Sequence, residues 1–248
     1  MIQLKSPREI AKMEVANRIV AETLEEVKSQ VRPGVTTEEL NEVAEACCRK
    51  RKVKPAFKGY RGYKHALCIA VNEEVVHGIP GPRPLKVGDL VSLDFGVLYD
   101  GFYGDAAITV PVGEVTPQAQ LLMKATEESL YAGIGQLKAG GRLSDISHAV
   151  QTKVEGYGFS VIRQFVGHGI GRALHEDPQI PNFGAQGRGP VLKPGMTLAI
   201  EPMVSAGSWE VNILDDGWTA VTSDNSLAAH FEHTVALTDK GVLILSRL

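Results

Sequence analysis

Five side chains that a buried strand normally excludes stand inside apolar, β-prone runs of this sequence. Asp94 and Asp105 fall in VSLDFGVLYDGFYGDAAITV, His168 in FVGHGIG, Glu201 in AIEPMV and Glu232 in HFEHTVAL. A carboxylate buried without a counter-charge is costly, and neither aspartate has a Lys or Arg close by in the sequence. The two can be placed against each other. Asp100-Gly101 between β-prone runs signals a type I′ hairpin turn, which needs positive φ at both central residues. That turn sets Leu98 opposite Tyr103 and Asp94 opposite Ala107, with Asp105 on the same face, diagonal to Asp94 at about 7 Å. Two carboxylates on one patch call for a cation. Standing alone, a pair of strand aspartates reads as a water-facing edge. Four separate segments that each carry an ionisable residue in place of a hydrophobe read as a site. The glycines around His168 would let another backbone approach closely, and His175 follows in GHGIGRALHEDP.

The elements that must hold these residues repeat once along the chain. Ser6, Pro7 and Glu9 form a capping box with proline at the first helical position. Ile10, Met13, Val20, Leu24 and Val27 then recur at helical spacing until RPG at 32–34. Thr36 and Glu39 repeat the box for a second helix running to about Lys52. Strands follow in ALCIAV, DLVSLDFGVLY and GDAAITV. Thr116 followed by proline restarts the pattern, SDISHAVQTKVEGYG supplies a fourth helix, and SVIRQFV, MTLAIEPMV, GWTAVTSD and HFEHTVALT are strands. The expected architecture is α/β, two related helix-helix-strand halves, about 6–113 and 114–240, packed as one domain over 1–248.

Composition removes other classes. The 248 residues, 44% hydrophobic and 22% charged, suit a soluble globular protein. A formal net charge of -3 and a basic run limited to CRKRKVK leave nothing to grip a nucleic-acid backbone. No apolar run approaches the ~20 residues of a membrane span, and MIQLKSPREIAKM lacks the apolar core of a signal peptide. A cytoplasmic protein is expected. Cys47, Cys48 and Cys68 are odd in number and without metal-ligand spacing, and so read as buried thiols in a reducing compartment.

In order, CIAVNEEVVHGIP, DFGVLYDGFYGDAA, GHGIGRALHEDP, AIEPMV and FEHTVALTDKG resemble the motifs of type I methionine aminopeptidases, and the resemblance runs over essentially the whole chain. It implies the pita-bread fold, with pseudo-symmetric halves around a central antiparallel sheet. Carried over position by position, it implies Asp94, Asp105, His168, Glu201 and Glu232 as ligands of two divalent ions. Four carboxylates and one imidazole without a thiolate suit Mn, Fe, Co or Zn, and four negative charges balance two such ions. A water bridging ions about 3.5–4 Å apart becomes a nucleophile at neutral pH. The resemblance further gives Glu201 a proton-shuttling role, sets His175 on the carbonyl oxygen and oxyanion, and sets His77 at the scissile amide. His65, His148, His230 and His233 have no such context and read as structural or surface residues.

By the same resemblance the methionine pocket is walled by Tyr60, Tyr63, Cys68, Leu174, Met203 and Trp218, an apolar set with adaptable and aromatic members. Leu174, Phe57 and Arg61 depart from well-known bacterial members, which carry phenylalanine at the first position and can carry cysteine and histidine at the others. The departures bear on pocket width and peptide contacts. The implied substrate is a nascent polypeptide N-terminus whose second residue is small, and the implied state is a monomer, with docking on the ribosome left open.

Two other readings compete. A proline-specific metallopeptidase shares the fold and ligand types, but generally carries an additional N-terminal domain, whereas the pattern here begins almost at once. The distance from Glu201 to Glu232 leaves no room for the helical insertion of the type II class. A non-catalytic pita-bread binding module would have lost ligand positions, and all five are present.

Overall fold

The computed structural model describes residues 1–247. Helix α1 (Pro7–Lys28) opens with the expected reciprocal cap: the Ser6 hydroxyl accepts from the Glu9 amide while the Glu9 carboxylate accepts from the Ser6 amide at 2.8 Å. Helix α2 (Thr37–Arg51) repeats this with Thr36 and Glu39. Thr116 caps α3 (Pro117–Ile134), and α4 (Leu143–Gly156) starts where the Asp145 carboxylate accepts from the Arg142 amide. The spaced apolar residues Ile10, Met13, Val20, Leu24 and Val27 are all buried, and each fully buried side chain of this size contributes roughly 1.5–3 kcal/mol.

The strands around the site are β1 (Leu67–Val71), β2 (Glu74–Val76), β3 (Leu90–Tyr99), β4 (Phe102–Pro111), β5 (Gly167–Gly169), β6 (Glu176–Ile180), β7 (Thr197–Ile200), β8 (Met203–Ser205), β9 (Ala228–His230) and β10 (Glu232–Thr238). A nine-stranded sheet runs β3, β4, β10, β7, β5, β6, with Lys54–Pro55 and β1 both on β3 and Gly241–Ile244 on β10. Every one of its pairings is antiparallel. Strand β8 pairs with β9 and with Ser160–Val161 in a smaller sheet.

The hairpin register is the one the turn dictates. Leu98 lies opposite Tyr103 and Asp94 opposite Ala107, with φ of 46° at Asp100 and 80° at Gly101. Helix α1 presses on one face of this hairpin so closely that a Cβ at Gly104 would lie 2.9 Å from the Ala16 backbone. Asn17 locks the contact, donating to the Met13 carbonyl and accepting from the Asp105 amide. Side chains alternate along a pleat, so Asp105 points to the opposite face, away from the helix.

Two expected strands are interrupted. MTLAIEPMV splits into β7 and β8 after Ile200, because Pro202 has no amide for the ladder. HFEHTVALT splits at Phe231, so Glu232 opens β10. SVIRQFV is extended only at Ser160–Val161. Glu201 therefore stands just beyond the end of a strand, not inside one.

Candidate metal centre

Asp94 from β3, Asp105 from β4, His168 from β5, Glu201 after β7 and Glu232 from β10 line one cavity. Four come from strands of one sheet, and Glu201 stands just past the end of a fifth, β7, the five strands being consecutive neighbours. Two overlapping sets of donors lie within 4.8 Å of one another: Asp105, His168 and Glu232, and Glu201, His230 and Glu232. Asp105, His168 and Glu232 are 3%, 6% and 3% exposed.

Local packing explains how His168 gets there. A Cβ on Gly167 would fall 2.4 Å from the Ala199 carbonyl oxygen, and one on Gly169 would fall 2.1 Å from that of Asp177. Only glycine lets β5 sit between β7 and β6 at this spacing. The His168 Nδ1 donates to the Gly169 carbonyl at 2.9 Å, which leaves the Nε2 lone pair free, 3.5 Å from Glu201 Oε1. Fixing one ring nitrogen so that the other can ligate is the usual arrangement behind a metal-binding histidine. The Asn182 amide holds the Glu201 carbonyl at 2.9 Å, and the Thr234 hydroxyl holds that of Asp105 at 2.7 Å.

The electrostatics point the same way. Burial raises the Asp94 carboxyl to about 7 and pushes Asp105, Glu201 and Glu232 well above the usual carboxylate range, with mutual repulsion adding to the shift in the last three. Burial also lowers His168 to about 3, which keeps the imidazole neutral. Asp94 Oδ1, Asp105 Oδ1 and Glu232 Oε1 are buried without a hydrogen-bond partner. Buried polar atoms are rarely orphaned. Acceptor oxygens and a neutral imidazole converging with no cationic side chain among them fit a divalent ion.

The cavity measures about 150 Å³, room for about five waters, hence one side chain. Phe57, Tyr60, Tyr63, Cys68, Leu174 and Trp218 form its walls. Tyr63 meets Trp218 edge to face at 5.1 Å between centroids, and the Tyr63 hydroxyl donates to the Gly78 carbonyl at 2.8 Å. Asp216 pins the Trp218 loop by accepting from the amides of Trp218 and Thr219. Arg61 lies at the cavity with its guanidinium 5.4 Å from the centre of the Tyr60 ring. Met203 does not join the wall. It is fully buried one layer behind, packed with Val76, Ile162 and Ala228, because β8 turns into the smaller sheet after the Pro202 break.

Both of the other histidines drawn from the motifs reach the cavity. The His175 ring lies against that of His168 at a tilt of 48°, centroids 4.2 Å apart, and its Nδ1 is 2.8 Å from the Tyr60 hydroxyl. His77 follows β2 with φ of 60°, a conformation that side chains other than glycine seldom hold without support from their surroundings. Phe165 and Trp218 pack edge-on against its ring, and burial lowers it to about 4.

His230 is the residue the sequence reading set aside. It is 1% exposed, with Nε2 4.0 Å from Glu201 Oε2. Its signal was available: His230 and Glu232 are two residues apart, and residues at that spacing share a face of an extended chain.

Residues 11–239 match metallopeptidase family M24, and the chain belongs to that family of metal-using hydrolases. Within it the chain stands with the bacterial methionine aminopeptidases. It is 54% identical to methionine aminopeptidase 1 of Bacillus subtilis over 248 residues, covering 100% of both chains. It is 52% identical to the methionine aminopeptidase of Clostridium perfringens over 246 residues, 99% of each. The crystal structure of the Thermotoga maritima methionine aminopeptidase superposes with a TM-score of 0.98 at 53% identity, over 100% of both chains. The prolidase of Pyrococcus furiosus, 22% identical, superposes with a TM-score of 0.81 over 99% of this chain and 65% of its own. That last likeness concerns the fold alone, the pita-bread architecture common to both groups. No helix among the described residues is long and apolar enough to cross a membrane.

Proposed function

We propose that this chain removes the N-terminal methionine from nascent proteins and peptides whose second residue is small, by hydrolysis at a dinuclear metal site. The observation that carries the reading is the meeting of Asp94, Asp105, His168, Glu201 and Glu232 at one cavity whose remaining wall is apolar and aromatic. These five side chains would hold two ions of the Mn, Fe, Co or Zn kind. When bound, such ions acidify a water into a nucleophile and polarise the scissile carbonyl.

The side chains of the chain itself do the rest. Tyr60, Tyr63, Cys68, Leu174 and Trp218 would enclose the methionine side chain and exclude water around it. Glu201, ligand and base together, takes the proton from the attacking water and passes it toward the leaving amine. His175, held through Nδ1 by Tyr60, points its other nitrogen at the carbonyl oxygen where charge develops. His77 donates at the scissile amide. The chain acts as a single catalytic domain, halves about 6–113 and 114–240, working as a monomer in the cytoplasm on emerging polypeptides.

Metal-stripped protein incubated with Met-Ala-Ser and Ala-Pro-Ala, each divalent ion being returned in turn, tests this. Ion-dependent release of methionine alone is expected. Preferential cleavage before proline would move the chain to the prolidase activity, and no cleavage with any ion would leave a binding module.

A further inference from the structure

The arrangement of His230 is unlike that of a core histidine. Its backbone is fastened on both sides by one hydroxyl: Thr109 Oγ1 donates to the His230 carbonyl at 2.8 Å and accepts from its amide at 2.9 Å. Ser92 Oγ lies 2.8 Å from the same oxygen. With the single Thr109 proton committed to the carbonyl, Ser92 must be the donor there. A ladder pairing with Met203 fixes the strand from the other side. The ring on this fastened backbone, 1% exposed, has an Nε2 with no hydrogen-bond partner among the described residues. Leaving such a nitrogen unmatched costs about 1–3 kcal/mol.

What Nε2 faces is a pair of carboxylates. It lies 4.0 Å from Glu201 Oε2, and its donor set with Glu201 and Glu232 falls within the 4.8 Å span that could hold an ion. Four ångströms is too long for a hydrogen bond. Two donors each about 2.1 Å from one ion stand about 3 Å apart at a right angle and about 4.2 Å apart when opposed, so the observed separation admits an ion between them. Glu201 thus has an imidazole beside each oxygen, His168 by Oε1 and His230 by Oε2.

We infer that His230 is a further protein ligand of the metal centre, its Nε2 joining Glu201 and Glu232 on a divalent ion. The inference rests on the dinuclear reading above and adds a second nitrogen donor to a set otherwise composed of one imidazole and four carboxylates. Nitrogen ligation shifts preference from manganese toward zinc and cobalt.

X-ray absorption at the zinc edge of the zinc-loaded full chain, scaled by zinc per chain, counts bound imidazoles. Two per chain are expected, falling to one in His230→Gln. A single imidazole per chain in the unaltered protein overturns the assignment, and so does a count of two that His230→Gln leaves unchanged, since the second nitrogen would then come from elsewhere. The count in the unaltered chain decides even where the variant fails to fold. Binding of no zinc at all would instead sink the metal-site reading on which the inference rests, so the two failures are distinguishable.

Discussion

Lys5 and Glu176 form an ion pair with side chains only 3% and 8% exposed, joining the segment before α1 to the residue that follows His175. The Glu176 carboxylate also accepts from the amides of Arg172 and Ala173, and the Lys5 amide donates to the Gly195 carbonyl. The turn that carries His175 is therefore fastened from below by a buried charge. Removing one partner of such a pair leaves the other uncompensated, at a cost of about 3–5 kcal/mol. Lys5→Met should lower stability by that order in denaturant titrations and reduce kcat through misplacement of His175, with metal affinity intact. Unchanged stability and turnover would show the pair to be incidental.

His77 and His175 reach the cavity without joining either set of grouped donors. Replacing either by alanine should reduce kcat by roughly a hundredfold to ten-thousandfold, the range for a lost proton-transfer or oxyanion group. Bound metal measured by plasma emission should stay as in the unaltered chain. Loss of metal in step with activity would make them ligands instead.

Glu201→Ala removes a proposed ligand and the proposed proton shuttle together. Steady-state assays on Met-Ala-Ser should show turnover down by about a thousandfold or more. Most of the activity surviving, with metal content verified, would end the role given to this side chain.

A cavity of about 150 Å³ leaves little space beyond one side chain. Met-Leu peptides should be cleaved far more slowly than Met-Ala peptides, and by more than the tenfold to two-hundredfold that one added methylene brings in a rigid pocket. Comparable kcat/KM for both would contradict the size limit.

The four clustered carboxylates also set a pH dependence. Asp94 rises from an ordinary value of 3.8 to about 7 in the folded protein, and Asp105, Glu201 and Glu232 move the same way. With the folded pKa raised, the contribution to stability is complete below the unfolded value and is lost as pH rises through about 7. Divalent ions held by these carboxylates would replace those protons. The Tm gap between metal-loaded and chelator-treated protein should therefore widen from pH 5 to pH 8, and thermal melts showing a constant or narrowing gap would refute this account.

Much of this was legible in the sequence where local chemistry dictates local geometry. Asp100-Gly101 fixed the hairpin register and with it the convergence of Asp94 and Asp105. Ser6 with Glu9 and Thr36 with Glu39 announced their helices because the caps are made within three residues. The strand breaks at Pro202 and Phe231 were hidden, since apolar runs on both sides continue the pattern. The resemblance implies Met203 as a pocket wall, whereas its side chain packs behind the cavity with Val76, Ile162 and Ala228. His230 stands two residues from Glu232 in the sequence, but its approach to Glu201 arises only when the end of β9 in the smaller sheet meets the residue after β7 in the larger one.

The hairpin of β3 and β4 brings Asp94 and Asp105, while every other proposed ligand, His230 included, comes from residues after 160. Order of synthesis then acts as a safeguard. A chain arrested anywhere before Glu232 lacks at least one of the proposed ligands. The two halves, produced as separate polypeptides, would each be inert, and peptide cleavage on mixing them would report directly that the central sheet had reassembled.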